Sequence, residues 1–181
     1  MKHLCLMVLI LLVAGCASTR SAHSDYDRLQ DFSAYRTFAW ISDDPVVTAP
    51  GVTPSISPLN RRRVVEAIEA TLTSKGLTRT DQRDSADFVV AYTLGARDRL
   101  IVDSWPTPYG RWGRWRWPYN ERTVVETYRE GTLAIDIFDG RSREPVWHGW
   151  TSKRITAADI RDAREPIRRG VNQVLESFPP K

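Results

Sequence analysis

The feature that most constrains this chain is an apolar run near the N-terminus that ends at a cysteine. Residues 4–13 are almost unbroken apolar sequence after a start containing Lys2, and Gly15-Cys16 follows at once. This order is typical of a secretory signal peptide. The run of ten residues is too short to span a bilayer, which takes about 20 residues in a helix. We therefore assign residues 1–15 to a leader and exclude them from the folded domain.

The end of this leader is more specific than an ordinary secretory cleavage site. Val13-Ala14-Gly15-Cys16 resembles the lipobox of bacterial lipoproteins. The resemblance implies that Cys16 carries diacylglycerol, that cleavage precedes it, and that the new N-terminus is acylated. Several acyl chains, at about 0.8 kcal/mol per buried CH₂, make a stable membrane anchor. Ala17, rather than an aspartate, follows the cysteine, which resembles the signal for the outer membrane.

Composition excludes several classes of function. The chain has 26 Lys+Arg and 22 Asp+Glu, and its net charge of +4 is too small to indicate nucleic-acid binding. Cys5 leaves with the leader and Cys16 carries lipid, so the mature fold has no disulfide and no thiolate ligand. His23 falls in the predicted tether, which leaves His148 as the single histidine of the folded body. We therefore expect no metal site and no cofactor.

Two stretches have the spacing of apolar residues that is typical of amphipathic helices. The first begins at Pro58, with Ser57 as N-cap, and ends before Gly76, which suits a left-handed C-terminal cap. The second begins near Pro166 and is stopped by Pro179-Pro180. The two apolar stripes are Val64, Val65, Ile68 and Leu72, and Ile167, Val171, Val174, Leu175 and Phe178.

Alternating or β-branched stretches predict strands at 36–41, 88–94, 123–128, 131–138 and 144–151. A further short strand is expected at 25–27, and Asp139-Gly140 predicts a hairpin turn. The pattern indicates an α+β fold: an antiparallel-rich mixed sheet with two amphipathic helices packed on one face. We assign residues 16–24 to a lipidated tether and 25–181 to a single domain.

Several short blocks resemble, in order and spacing, domain-of-unknown-function family 4136 of bacterial envelope lipoproteins. The blocks are Asp31-Phe32, Thr37-Phe38-Ala39-Trp40, Ala86-Asp87-Phe88, Gly131-Thr132-Leu133-x-Ile135-Asp136, Val146-Trp147 before Gly149, and Phe178-Pro179-Pro180. The resemblance covers roughly residues 25–180. It implies the fold and an envelope location, mainly in Gram-negative bacteria, and it carries no established activity.

One segment between the predicted strands has an unusual composition. Its aromatic and basic residues are Trp105, Tyr109, Arg111, Trp112, Arg114, Trp115, Arg116, Trp117 and Tyr119. Flat aromatic faces and guanidinium groups suit anionic glycans or a membrane interface. The same residue types dominate protein-binding hot spots. The segment could equally fold back to cover the sheet face opposite the helices. We call it the Trp/Arg loop.

Candidate catalytic groups are few. Asp136 and Asp139, together with Glu126, could form paired carboxylates, but Asp139 is explained by the predicted turn, and Asp136 by a polar position on the sheet tied to a backbone group. His148 lies on a predicted strand, and no Gly-x-Ser-x-Gly sequence supplies a nucleophile for it. We therefore assign no catalytic residue.

These observations predict a lipid-anchored cell-envelope protein in the outer membrane, facing the periplasm. The expected role is structural or partner-binding, without catalysis, and the partner is a protein or a glycan of the envelope. One alternative is an anionic glycan or lipid-surface binder acting through the Trp/Arg loop. Another is a hydrolase of envelope polymers. The sequence does not set the oligomeric state.

Overall fold

The structure is a computed structural model, and it describes residues 22–47, 57–105 and 122–180. Side chains are described throughout these ranges except in 101–105 and 122–126. The predicted leader, Cys16 and residues 17–21 of the predicted tether lie outside the described residues. His23 and Ser24, also assigned to the tether, belong to the first strand.

Within the described residues, six strands form one sheet in the order β1-β6-β5-β4-β2-β3. The strands are β1 (His23–Tyr26), β2 (Thr37–Trp40), β3 (Thr78–Arg79), β4 (Phe88–Trp105), β5 (Arg122–Asp139) and β6 (Pro145–Arg154). β2 is parallel to its neighbours β3 and β4, and the other pairs are antiparallel. The predicted mixed, mostly antiparallel sheet is therefore confirmed.

Three α-helices accompany the sheet in the described part of the chain: α1 (Pro58–Ser74), α2 (Ala157–Arg161) and α3 (Arg164–Leu175). The Ser57 hydroxyl accepts a hydrogen bond from the Leu59 amide at 3.3 Å. Gly76 has a φ of +87°, which is the left-handed conformation expected after a helix. Sequence analysis predicted α1 and most of α3, but it missed the short α2.

The core lies on one face of the sheet, beneath α1 and α3. Alternate strand residues point into it, together with the apolar stripes of both helices, of which only Val65 and Ile167 are partly rather than fully buried. The core includes Phe88, Val90, Tyr92, Ile135 and Ile137 from the strands, and Val64, Ile68, Leu72, Val171, Val174 and Leu175 from the helices. Because the two helices pack against each other as well as against the sheet, the predicted one-sided arrangement is confirmed.

Strands β4 and β5 are far longer than predicted. β4 continues past Leu94 to Trp105, and β5 joins the two predicted strands into one. The pairing of β4 with β5 is continuous from Phe88↔Asp139 to Trp105↔Arg122. The break between the two predicted strands fell at the charged residues before Gly131. A ribbon that is exposed on both faces can carry charged side chains on both, so the backbone pairing of β4 with β5 continues through these residues.

The outer part of this hairpin stands free of the sheet. β6 ends at Arg154, which pairs with Glu130, and the pairing of β2 with β4 ends at Val90. Among the described residues, 97–105 of β4 and 122–129 of β5 therefore have no third strand beside them, and we call them the arm. At its base the Arg129 carbonyl accepts a hydrogen bond from the Ile155 amide at 2.7 Å. At about 3.3 Å per residue the arm extends roughly 25 Å.

The chain enters the sheet at the end from which the arm leaves it. His23, the first residue of β1, pairs with Trp150 of antiparallel β6. β6 then runs four residues further to Arg154, next to the base of the arm. The start of the described chain and the base of the arm are therefore at the same end of the sheet.

Candidate functional site

Ionic and aromatic contacts stiffen the base of the arm. The Glu130 carboxylate accepts hydrogen bonds from Nε of Arg97 at 3.0 Å and from Nε of Arg99 at 2.8 Å. These bonds, that from Arg99 first, lower the pKa of Glu130. The Arg154 guanidinium lies 5.0 Å from the centre of the Tyr128 ring. Residues 97–100 of the arm are exposed, and Leu100 keeps 68% of its surface accessible.

The sheet face opposite the helices carries an imidazole–carboxylate pair. Nδ1 of His148 lies 2.6 Å from Oδ1 of Asp136. Trp150 stacks between the rings of His148 and His23, with both pairs of ring centres 5.1 Å apart. Asp25 of β1 is the cross-strand neighbour of His148. A carboxylate next to an imidazole is a component of hydrolytic triads, but no described hydroxyl or thiol side chain hydrogen-bonds to this histidine.

This pair was not predicted from the sequence, because Asp136 was expected to contact a backbone group. The signal was available in the predicted hairpin. Counting back from the Asp139-Gly140 turn along both strands brings Asp136 close to His148, and the structure pairs the two residues directly.

Asp139 has the role of a turn residue. Its Oδ1 accepts hydrogen bonds from the backbone amides of Arg141 at 2.9 Å and Ser142 at 2.8 Å. Its Oδ2 accepts one from the Tyr35 hydroxyl at 3.1 Å. Together these bonds hold the β5–β6 turn against the body. The side chain of Glu126 lies outside the described residues, so no carboxylate cluster is assigned.

A cavity of about 410 Å³ lies at the base of the arm, between the sheet, α1 and α3. We call it the basal groove. Its apolar walls are formed by Val64, Leu94, Leu133, Ile155, Ile160 and Ile167.

Small residues create this space. Ala96, Gly131 and Lys153 form one cross-strand row on β4, β5 and β6, and the first two contribute almost no side chain to the floor. Gly170 lies above on α3, where an added Cβ would sit 3.6 Å from Cδ2 of Leu133. The sheet and helices therefore leave a gap where elsewhere their side chains fill the core.

A partly buried ion pair closes one side of the basal groove. Nζ of Lys153 lies 2.5 Å from Oδ1 of Asp159, and the two side chains are 20% and 14% exposed. Asp159 also completes the capping box of α2 with Thr156. Burial alone would raise the pKa of Asp159, but hydrogen bonds from Lys153 and Thr156 outweigh it and lower the pKa to about 2.

The Trp/Arg loop lies outside the described residues except at its first position. Trp105 ends β4, where its backbone pairs with Arg122 at the outer end of the arm. The loop is therefore the connection that closes the arm. The nine predicted loop residues have no described side chains, and neither does Cys16.

The described part of the chain contains neither a cluster of metal-ligating side chains nor a membrane-spanning helix. Residues 22–47, 57–105 and 122–180 contain no group of three or more His, Cys, Asp or Glu side chains placed to hold a metal ion. No helix in these ranges is both long and apolar enough to cross a bilayer.

The fold defines an α+β protein with a sheet covered by helices on one face and a two-stranded arm at one end. A family model described as Domain of unknown function (DUF4136) matches residues 22–180. The chain therefore belongs to this family, which confirms the resemblance found in its sequence blocks. No curated protein sequence matches the chain.

Several solved structures are similar to this one. A DUF4136 family protein from Bacteroides thetaiotaomicron has 18% identity and a TM-score of 0.55, over 87% of this chain and 95% of that one. A PDZ domain protein from Parabacteroides distasonis has 16% identity and a TM-score of 0.48, over 88% of this chain and 35% of that one. The present chain thus spans about a third of the length of that protein. A PelC dodecamer from Paraburkholderia phytofirmans has 10% identity and a TM-score of 0.46, over 86% of this chain and 94% of that one. The likeness to the Bacteroides thetaiotaomicron protein shows a shared fold alone.

Proposed function

We propose that this protein is a lipid-anchored component of the bacterial outer membrane that faces the periplasm and binds an envelope partner through its arm. The acyl chains on Cys16 concentrate the domain at the membrane, and the arm with its Trp/Arg loop contacts the partner. The proposed role is structural or partner-binding rather than catalytic.

The free-standing arm is the observation that carries this proposal. A two-stranded ribbon without further support is marginally stable in water, and the described part of the arm has no third strand beside it. Leu100 adds an exposed apolar side chain there. Packing against a partner would bury this surface and supply the missing support.

The anchor is tested on the mature protein. Mass spectrometry of the chain isolated from membranes should show that residues 1–15 are absent and that Cys16 carries the mass of attached acyl chains. Cys16→Ser should move the protein into the soluble fraction, because the anchor energy resides in the buried CH₂ groups. A bare thiol, or a retained leader, would remove the anchor from the proposal.

The partner site is tested by in-cell photocrosslinking from a described position of the arm. A photoreactive amino acid at Leu100 should capture a discrete envelope protein. Leu29 is a matched control because it is an exposed leucine of the body, 95% accessible. An identical pattern of adducts from the two positions, or none from Leu100, would count against the arm.

The same experiment addresses the glycan and lipid alternative. If Leu100 captured glycan or lipid rather than protein, replacing Trp112, Trp115 and Trp117 with Ala should abolish binding to glycans or liposomes. The far-UV circular dichroism of that variant should stay unchanged, which would show that binding rather than folding has been lost.

A further inference from the structure

The basal groove combines apolar walls with an exposed apolar rim. Ile160 of α2 lies at its edge and keeps 73% of its surface accessible, although isoleucine is among the residues most often buried. Inside, Leu94 and Leu133 of the sheet face Val64 and Ile167 of the helices. An aliphatic group that covered this surface would lower the free energy, because it would remove apolar area from water.

One positively charged side chain at the basal groove, Arg129, has no described acidic partner. Lys153 is neutralised by Asp159. Arg129 also lines the groove and is exposed. Among the described residues, no carboxylate forms an ion pair with Arg129, although Asp98 is its cross-strand neighbour on β4. A guanidinium at the mouth of an apolar cavity suits a carboxylate, which it can hold through two parallel hydrogen bonds.

We infer that the basal groove binds a single-chain aliphatic carboxylate, with its chain along the apolar walls and its carboxylate at Arg129. The volume of about 410 Å³ lies toward the lower end of the range for ligand pockets, which favours one chain over two. Binding requires no acyl group on Cys16, so this inference is independent of the proposed anchor.

The test uses the full chain in isolated membranes. A fatty acid with a diazirine in its chain is added, the sample is irradiated, and labelled peptides are mapped by mass spectrometry. The label should fall on the strands and helices that line the basal groove, and excess unlabelled oleic acid should compete. Because the probe is added after isolation, it does not enter the protein's own anchor. Cys16→Ser, irradiated with the probe in the soluble fraction to which it should move, should carry the label on the same peptides.

Two variants separate the basal groove from non-specific labelling. Ala96→Trp fills the floor from an exposed position of β4, and excluding even two methylenes of a chain should weaken labelling about tenfold. Ser152→Trp is the matched control, because it places the same side chain on an exposed β6 residue whose side chain points to the other face of the sheet. Its labelling should equal that of the original chain.

Further variants provide a second test in case Ala96→Trp misfolds, and they test whether Arg129 binds the carboxylate of the fatty acid. If Ala96→Trp unfolds, Ile160→Glu replaces it, since this exposed rim position accepts a charge that repels a carboxylate. Arg129→Gln should reduce labelling by the fatty acid but not by the corresponding fatty alcohol.

Equal labelling of Ala96→Trp and Ser152→Trp, label outside the basal groove, or equal loss of acid and alcohol labelling in Arg129→Gln would overturn the inference. Preferential labelling by a photoreactive two-chain phospholipid would do the same.

Discussion

Two glycines near the core show how the same substitution has opposite consequences at different places. Gly149 of β6 lies under the buried ring of Trp147, and an added Cβ would approach Cη2 of that ring to 2.2 Å. Gly170 of α3 has room, because its added Cβ would meet only Leu133 and Thr151 at 3.6 and 3.9 Å, ordinary contact distances.

We expect Gly149→Ala to lower the free energy of unfolding by about 1–3 kcal/mol, because the Trp147 ring is enclosed and cannot move aside. Gly170→Ala should raise it by about 0.5–1 kcal/mol, because alanine loses less entropy in a helix. Urea unfolding of both variants measures the difference. Changes of the same sign would show that the packing around one of these glycines differs from that described.

Asp159 should make the free energy of unfolding depend on pH in the acid range. Its pKa in the folded state is about 2, below the value of about 3.9 for an unperturbed aspartate. The ionised carboxylate therefore stabilises the fold fully above about pH 4, and this contribution is lost as the pH falls through 2.

Asp159→Asn should cost about 1–2 kcal/mol at pH 7, because it removes the partner of Lys153 and weakens the cap of α2. The difference in unfolding free energy between the two proteins should shrink as the pH is lowered from 5 to about 2. Urea titrations at several pH values measure it, and a constant difference would contradict the assignment.

At the scale of single residues, the sequence predicted which way a side chain points better than it predicted which residue that side chain contacts. The alternation around Ile135 and Ile137 placed Asp136 on the opposite face, and it lies there. Its partner His148 comes from the next strand and depended on the register of the hairpin. The pairing of Lys153 with Asp159 was missed because α2 was not predicted, and its five residues are too few for a periodic signal.

At the scale of elements, the sequence predicted the body well and the arm poorly. α1 was found with its caps, because local signals mark both of its ends. The arm lacks the alternation that burial on one face imposes, since residues 97–100 are all exposed. Continuous pairing between β4 and β5, rather than a hydrophobic pattern, is what defines these strands there.

The arm should be dispensable for folding. Replacing residues 99–128 with an Asn-Gly turn would join Asp98 to Arg129, which already face each other, and this turn suits a two-residue hairpin. Because none of the described arm side chains belongs to the buried core, we expect cooperative unfolding within about 5 °C of the original midpoint. Thermal melting followed by circular dichroism measures this. Loss of a cooperative transition would show that the arm supports the body.

At the scale of the molecule, the α+β class and the one-sided placement of the two longer helices followed from periodicity alone. The parallel placement of β2 between β3 and β4 did not, because it depends on a crossover through α1 rather than on a local turn. The basal groove was also beyond sequence analysis. It arises where small residues from separate strands and a glycine of α3 come together, and none of them is unusual in its own segment.

With the proposed anchor on Cys16, the shared exit of the first strand and the arm would set an orientation for the whole protein. A fatty-acylated Cys16 would be joined to His23 by at most about 25 Å of extended chain, which equals the reach of the arm. The protein would then hang from the bilayer with the arm in the gap between body and lipid, and with the helical body toward the periplasm. Lengthening the chain before His23 would act as a spacer that lifts the arm tip away from the membrane.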